Sequence, residues 1–247
     1  MPTVRNIKVT VDYDGTEFSG FQKQPGRRTV QGELESVLGK LFGQPIKVIG
    51  AGRTDAGVHA TGQVISFQTG GTIPVDRMCP ALNGLLAKDV RAKKAESVPD
   101  GFHARYSAKS RTYVYAILNR RPPSALLGRY TWRIEDTLDL KEMRSAGERI
   151  IGIRDFASFG MPDRAGASTT RQMFECCIGR RRELVLVKIR ANAFLRGMAR
   201  AIVGTLVEIG RGRRPSEGIC EILAACDRQA SRVTAPPQGL FLTRVEY

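Results

Sequence analysis

The sequence predicts an α+β protein with a largely antiparallel sheet, and three observations carry that prediction. Strand-like and helix-like segments alternate along the whole chain. The apolar runs 173–178 and 184–189 flank the polar stretch Arg180 to Glu183, the arrangement of a hairpin rather than of a doubly wound parallel fold. With 247 residues, 42% of them hydrophobic, the chain can bury a sizeable core, as one domain or as two halves packed together.

The elements follow in order. Val9, Val11 and Tyr13 alternate with polar residues after Ile7 and predict a strand, which Asp14-Gly15-Thr16 breaks. Val30, Leu34, Val37, Leu38, Leu41 and Phe42 recur at helical spacing, with Thr29 placed to cap the helix. Residues 46–49 read as a strand, 50–62 as a glycine-rich loop, 64–67 as a strand and 75–86 as a helix. A second stretch begins near Arg111. Tyr113, Tyr115 and Ile117 alternate in a strand, 140–151 is helical, and 160–170 is a loop with Pro162 and Gly166. After the hairpin come helices over 194–209 and 218–226 and a last strand over 240–245. Both stretches share a strand–helix–strand rhythm, which suggests duplication, but their sequence identity is too weak to establish it.

Charge gives the first functional indication. Lys and Arg number 39 against 24 Asp and Glu, a net charge of +15, and Arg clusters recur at 27–28, 120–121, 180–182 and 211–214. Guanidinium groups bind phosphate oxygens in pairs, so the balance points to nucleic acid. The alternative is a protein with scattered solvated cations. The five cysteines form no CxxC pair, and neither His59 nor His103 is near a cysteine, which argues against zinc and against a disulfide framework. Reduced thiols suggest the cytoplasm. Residues 1–12 run straight into the first strand with no signal peptide, and no apolar run is long enough for a bilayer.

The run from Gly50 to Val64 is the most informative. Four glycines in its first thirteen residues let the backbone turn tightly around Arg53 and Asp55. Taken alone, Asp55-Ala56-Gly57 is also compatible with a simple turn aspartate. The run is neither a P-loop nor a dinucleotide fingerprint, because the Gly-Lys-Ser/Thr ending and the glycine spacing are absent.

The octapeptide Gly52-Arg53-Thr54-Asp55-Ala56-Gly57-Val58-His59 resembles the signature of the tRNA pseudouridine synthase A family. Further landmarks of that family appear in order. They include Tyr13-Asp14-Gly15-Thr16, Thr29-Val30-Gln31-Gly32-Glu33-Leu34-Glu35, Phe102-His103-Ala104-Arg105-Tyr106-Ser107-Ala108 and Arg111-Thr112-Tyr113-Val114-Tyr115. Asp155-Phe156-Ala157-Ser158-Phe159, Asn192-Ala193-Phe194-Leu195-Arg196-Gly197-Met198-Ala199-Arg200 and Gln238-Gly239-Leu240-Phe241-Leu242 complete the set, which spans essentially the whole chain. Phe21, Ala199 and Phe241 stand where the family usually has Trp, Val and Tyr, all packing changes.

The resemblance implies the pseudouridine synthase fold: two related α+β halves, 1–106 with the aspartate loop and 107–247 with the tyrosine strand and arginine helix. They would form an eight-stranded, largely antiparallel mixed sheet flanked by helices, with a central basic cleft. It further implies a homodimer that converts uridine to pseudouridine in the tRNA anticodon stem-loop, at tRNA positions 38 to 40. The reaction is an isomerisation and implies no cofactor, metal or nucleotide. In that assignment Asp55 is the nucleophile, Arg200 the cation that keeps it ionised, and Tyr113 the ring that stacks on the extruded base. Spacing alone does not separate Tyr113 from Tyr115, which points the same way. Arg53, the run Phe102, His103, Ala104, Arg105 and Tyr106, Arg121, and the loop Asp163, Arg164, Ala165, Gly166 and Ala167 match substrate-binding positions. His103 is equally compatible with a hydrogen-bonded core histidine.

Two alternatives are a basic RNA-binding module without turnover and a glycosylase that hydrolyses rather than isomerises. The intact set of Asp55, Tyr113 and Arg200 argues against the first. The lack of a second carboxylate in an obvious general-base position argues against the second.

Overall fold

The computed structural model describes residues 4–247. Residues 1–3, the start of the stretch read as leading straight into the first strand, lie outside the described residues. The chain divides into two units. One runs to Lys109 and takes back Leu242–Tyr247; the other is Ser110–Phe241. Together they hold ten strands and five α-helices among the described residues, an α+β fold.

In the first unit β1 (Arg5–Tyr13) lies antiparallel to β3 (His59–Thr69) on one side and β4 (Val90–Val98) on the other. Ile7, Val9 and Val11 are fully buried, as the alternation predicts. Helix α1 (Val30–Phe42) buries Leu34 and Leu38; Thr29 accepts the Gly32 N–H at 3.2 Å, and Gly43 ends the helix at φ 65°. Helix α2 (Val75–Leu85) packs on β4, where Asn83 bonds both the N–H and the carbonyl of Ala92 at 2.8 Å.

Three expectations change here. The strand expected over 46–49 reduces to β2 (Ile49–Gly50), because side chains of α1 take the backbone groups of Val48: Glu35 accepts its N–H and Gln31 donates to its carbonyl, both at 3.1 Å. Strand β3 starts at His59, so the glycine loop is shorter than 50–62. Its residues 62–67 are buried on both faces, which removes the alternation that would mark a strand. Strand β4 was not anticipated, since Lys93, Lys94 and Glu96 give it the charged character of an edge. The chain end returns to the first unit through β10 (Leu240–Glu246), and there Gly62 approaches Thr243 so closely that a Cβ would stand 2.1 Å from its carbonyl oxygen.

In the second unit β5 (Ser110–Asn119), β9 (Leu184–Ala191), β8 (Thr170–Arg181) and β7 (Gly152–Asp155) pair antiparallel in that order. The expected β8–β9 hairpin is present and turns through Arg182 at φ 54°. Strand β6 (Trp132–Ile134) pairs parallel with β5 and makes the set mixed. β2 and β6 stand outside the eight longer-paired strands, which accounts for ten where eight were expected. Helix α3 (Leu140–Arg149) is capped by Asp139, which accepts from Lys141 and Glu142. Helix α4 (Met198–Gly210) is buried nearly all round, and α5 (Gly218–Ala225) follows it. The helix expected from Phe194 begins only at Met198. Gly197 lies at φ 78°, and Arg196 exchanges backbone bonds with Met161 at 3.0 and 3.2 Å, holding the chain extended. Among the described residues no helix is long and apolar enough to cross a membrane.

The α1 cap gives a direct test of helix energetics. Thr29→Ala should lower unfolding stability by about 1 kcal/mol, whereas Thr29→Ser should retain most of it. Urea midpoints of the three proteins measure this, and an unchanged Thr29→Ala midpoint would mean that packing alone holds the helix start.

Candidate active site

The loop that carries Asp55 is fastened at each end by buried polar groups. Ala51 donates to Val64 O at 2.8 Å. The fully buried Gln63 amide grips Gly52 twice, donating to its carbonyl at 2.7 Å and accepting its N–H at 3.2 Å. The register between β1 and β3 shifts between Val11 and Tyr13. Beside that shift, the Tyr13 hydroxyl bonds Thr54 Oγ1 at 2.8 Å. Val58 N–H closes a turn onto Asp55 O at 3.2 Å, with Gly57 at φ 76°.

The segment after β1 forms the other wall. Phe21 N–H donates to Thr54 O at 3.0 Å, and Gly15 N–H donates to His59 Nδ1 at 3.0 Å. A Cβ on Gly15 would stand 2.0 Å from Val58 O, and one on Gly20 2.9 Å from Thr54 O, so both positions require glycine. Phe21, where the family usually has Trp, is buried with its ring against Gly50. Asp14 accepts from the Thr16 N–H at 3.0 Å and hydroxyl at 2.5 Å and lies 3.2 Å from His59 Nδ1. The Gly15 bond uses the Nδ1 lone pair and so favours the neutral ring over an ion pair. Thr54, Val58 and His59 thus face inward, while Arg53 and Ala56 are exposed and Asp55 is half-buried.

Residues 99–107 are also pinned. Asn6 donates to the carbonyls of Pro99, Asp100 and Phe102 at 3.1, 3.3 and 2.8 Å. Ala104 is fully buried in a cluster with Ala51 and Val64; its N–H bonds Ser66 Oγ and its carbonyl accepts from the Tyr247 hydroxyl. Phe102 packs on Tyr247 with ring centroids 4.7 Å apart, and Lys8 Nζ lies over both rings. His103 accepts the N–H groups of Arg105 and Tyr106 at Nδ1 and stacks on Tyr106 at 4.4 Å. Tyr106 is 71% exposed, with the Arg105 guanidinium 5.6 Å from its ring.

In the second unit Tyr113 is buried on β5 with its ring edge-on to Phe194 at 4.8 Å. Tyr115 is fully enclosed; its hydroxyl donates to Pro236 O at 2.8 Å, and its ring leaves no space for a side chain at position 239. Burial pushes its phenol pKa well up, partly offset by the nearby Arg200 charge. Arg200, in the first turn of α4, donates from Nε to Ala235 O at 2.7 Å and accepts the Ala235 N–H on its own carbonyl at 3.0 Å. Arg121 and residues 163–167 are exposed, with Gly166 at φ 75° and Ala167 N–H bonded to Arg164 O. No group of three or more His, Cys, Asp or Glu among the described residues is arranged to hold a metal ion.

Asp55 and Arg53 therefore belong to the first unit with the 102–106 run, and Tyr113, Arg121, the 163–167 loop and Arg200 to the second. Sequence reasoning did not assign Tyr13 and Gln63, which fasten the Asp55 loop, or Asn6, which pins residues 99–102. The alternation in β1 does not mark Tyr13 or Asn6: Tyr13 falls on its apolar phase and Asn6 on its polar phase.

Comparison with known proteins gives the class. A family model described as tRNA pseudouridine synthase matches residues 9–107 and 146–247. Three proteins named tRNA pseudouridine synthase A match nearly end to end. That of Thermoanaerobacter sp. (strain X514) is 40% identical over 99% of this chain and 100% of its own. That of Geotalea uraniireducens is 39% identical over 99% and 100%, and that of Halalkalibacterium halodurans 43% identical over 98% and 92%. The chain belongs to the tRNA pseudouridine synthase family and is an isomerase that forms pseudouridine in tRNA.

The anchor at Tyr13 has a pH signature. Burial raises its phenol from 10.0 to about 12, against the lowering effect of its bonds to Thr54 and Gln63. The folded pKa lies above the unfolded one, so this contribution is fully present below pH 10 and is lost as pH rises towards 12, at about 1.4 kcal/mol per unit. Tyr13→Phe should therefore lose less stability than the wild type between those limits. Urea unfolding of both proteins at neutral pH and near pH 11 checks it; parallel losses would show that Tyr13 does not titrate with unfolding.

Proposed function

We propose that the chain isomerises uridine within the tRNA anticodon stem-loop, with Asp55 as the nucleophile. One observation supports this above the others: the backbone of residues 52–58 is clamped by buried side chains and close glycine contacts, so the Asp55 carboxylate is held in position while still half-open. Such preorganisation is what a reaction at a single carbon requires.

In the reaction the N1–C1′ bond breaks, the uracil turns, C5 bonds to C1′, C5 gives up its proton and N1 takes one up. Atoms and electrons balance within the substrate, so the reading invokes no cofactor. An ionised Asp55 supplies the anion at the sugar–base junction, whether by attack on the sugar or by deprotonating it. Burial against RNA would drive a carboxylate towards its neutral form, and Arg200 is assigned as the cation that opposes this. The Ala235 bond to Nε fixes the plane of that guanidinium. Tyr113, backed by Phe194, offers a ring for the extruded base and a hydroxyl for the C5 proton. Tyr115 is unsuited to that part because Pro236 takes its hydroxyl. Arg53, Arg105, Tyr106, Arg121 and Arg164 are assigned to the RNA backbone and flanking bases. The reading has the enzyme act as a homodimer in the cytoplasm, in keeping with its five free thiols.

Asp55→Asn tests the assignment. The change keeps size and hydrogen bonding, so tRNA binding should persist while release of tritium from C5-labelled uridine falls to background. Near-normal release would overturn the nucleophile. Free uracil in the wild-type reaction would indicate a glycosylase instead.

Arg200 allows a graded test. Arg200→Lys keeps charge but loses the planar fork, and Arg200→Met removes the charge. A buried charge left without a counter-charge typically costs about 3–5 kcal/mol, so on this reading the Met variant should lose more than the Lys variant. Single-turnover rates at saturating enzyme should fall in the order wild type, Lys, Met. The comparison is made on chemistry at saturating enzyme because either change could also weaken RNA binding. A wild-type rate for Arg200→Met would leave Arg53 as the next candidate cation.

A further inference from the structure

Away from the residues assigned to catalysis, the second unit contains a cavity of about 300 Å³ beside α4 and α5. Its charged lining is lopsided. Arg213, Arg214 and Arg232 face it against one carboxylate, Glu208. That carboxylate is already neutralised, since Arg213 bonds it at 3.1 Å and Arg211 at 3.4 Å. Arg214 and Arg232 have no ion-pair or hydrogen-bond partner among the described residues. Two cations that line one concavity without a counter-charge of their own are offset by a bound anion.

The neutral lining agrees with the charge. Ser231 is 1% exposed, and its oxygen accepts from Arg228 at 2.5 Å. That bond leaves the Ser231 hydroxyl proton as a donor, with no acceptor for it among the described residues. Ile222 adds an apolar patch. The volume exceeds what a bare phosphate needs, so an apolar patch beside charged donors fits a sugar with its phosphate. One wall is closely packed: a Cβ on Gly204 would stand 2.4 Å from Val233 O, so the backbone at Val233 is pressed onto α4.

We propose that this cavity is a binding site for a ribose-phosphate group, held by Arg214 and Arg232 with Ser231 as a hydrogen-bond donor. The group can come from an RNA backbone or from a free nucleotide, and the two sources are separable. The RNA source rests on the functional reading above; the free-nucleotide source does not.

The test uses the full chain and the double variant Arg214→Gln/Arg232→Gln, with Ser231→Ala as a milder second variant. Inorganic phosphate and uridine 5′-monophosphate are the free probes, read by thermal stabilisation against chloride at equal ionic strength. Intact tRNA is the RNA probe, read by Kd across a salt series. For an RNA phosphate, the double variant loses stabilisation by the free probes, binds tRNA about tenfold more weakly at low salt, and its log–log salt slope falls by about 1 per arginine removed. Its single-turnover rate at saturating enzyme stays at the wild-type value. For a free nucleotide, the variant loses stabilisation by the free probes while tRNA affinity and slope are unchanged. Ser231→Ala should show a smaller loss in the same direction. The free probes are read without turnover, so a chain that failed to isomerise uridine would still report on the cavity. If neither the free probes nor tRNA distinguishes the double variant from the wild type, the proposal is overturned.

Discussion

Two stretches of backbone touch at Gly15 and Gly20 where no side chain has room, and the placement of Asp55 depends on that contact. The first stretch, 14–21, presses on Thr54 and Val58; the second accepts the Phe21 N–H at Thr54 O and the Gly15 N–H at His59 Nδ1. Backbone groups that meet this closely must satisfy one another, because water is excluded between them. The result is a loop without regular secondary structure that is nevertheless defined residue by residue. Thr54 and Val58 face inward, and Asp55 between them is left half-open.

Side-chain hydrogen bonds take over where strand pairing stops. Gln63 stands in for a pairing partner at Gly52, Gln31 and Glu35 do so at Val48, and Asn6 gathers three carbonyls from residues 99–102. Each is an amide or carboxylate on a regular element reaching an irregular one. Unmade, each would leave buried polar groups at about 1–3 kcal/mol apiece, so these side chains specify the loop conformations as well as stabilise them. Residues 163–167 contrast with this: all five are exposed.

The second unit gives two tyrosines of one strand different surroundings. Tyr113 and Tyr115 share a face of β5, yet Tyr115 is closed in by Gly239 and bonded to Pro236, while Tyr113 sets its ring edge-on to Phe194. The same 228–236 segment that receives Arg200 at Ala235 also lines the arginine cavity, so α4 carries a positioned cation at its start and a basic concavity near its end. A chain of +15 net charge distributes its cations unevenly, and these are two places where the fold gathers them.

Amino-acid order alone determined the fold class, most helices, the β8–β9 hairpin and the family, because each rests on local periodicity or on an unbroken motif such as Gly52 to His59. Periodicity misjudged the places where neighbours distant in sequence decide the backbone. β3 extends to His59 because β1 and the returning chain end flank it, β4 is a strand because β1 and Asn83 hold it, and α4 starts late because Met161 keeps Arg196 extended. The same holds for the candidate site. Asp55, Tyr113 and Arg200 were named from motif; spacing alone did not separate Tyr113 from Tyr115, whose hydroxyl the fold engages with Pro236. Gln63, Tyr13 and Asn6 acquired a role only once the fold placed Gln63 and Asn6 beside loop backbone groups and Tyr13 beside the Thr54 hydroxyl. Local spacing records which residues share a face. Which of them must satisfy a buried polar group depends on segments that meet only in the folded chain, and that is decided by tertiary structure.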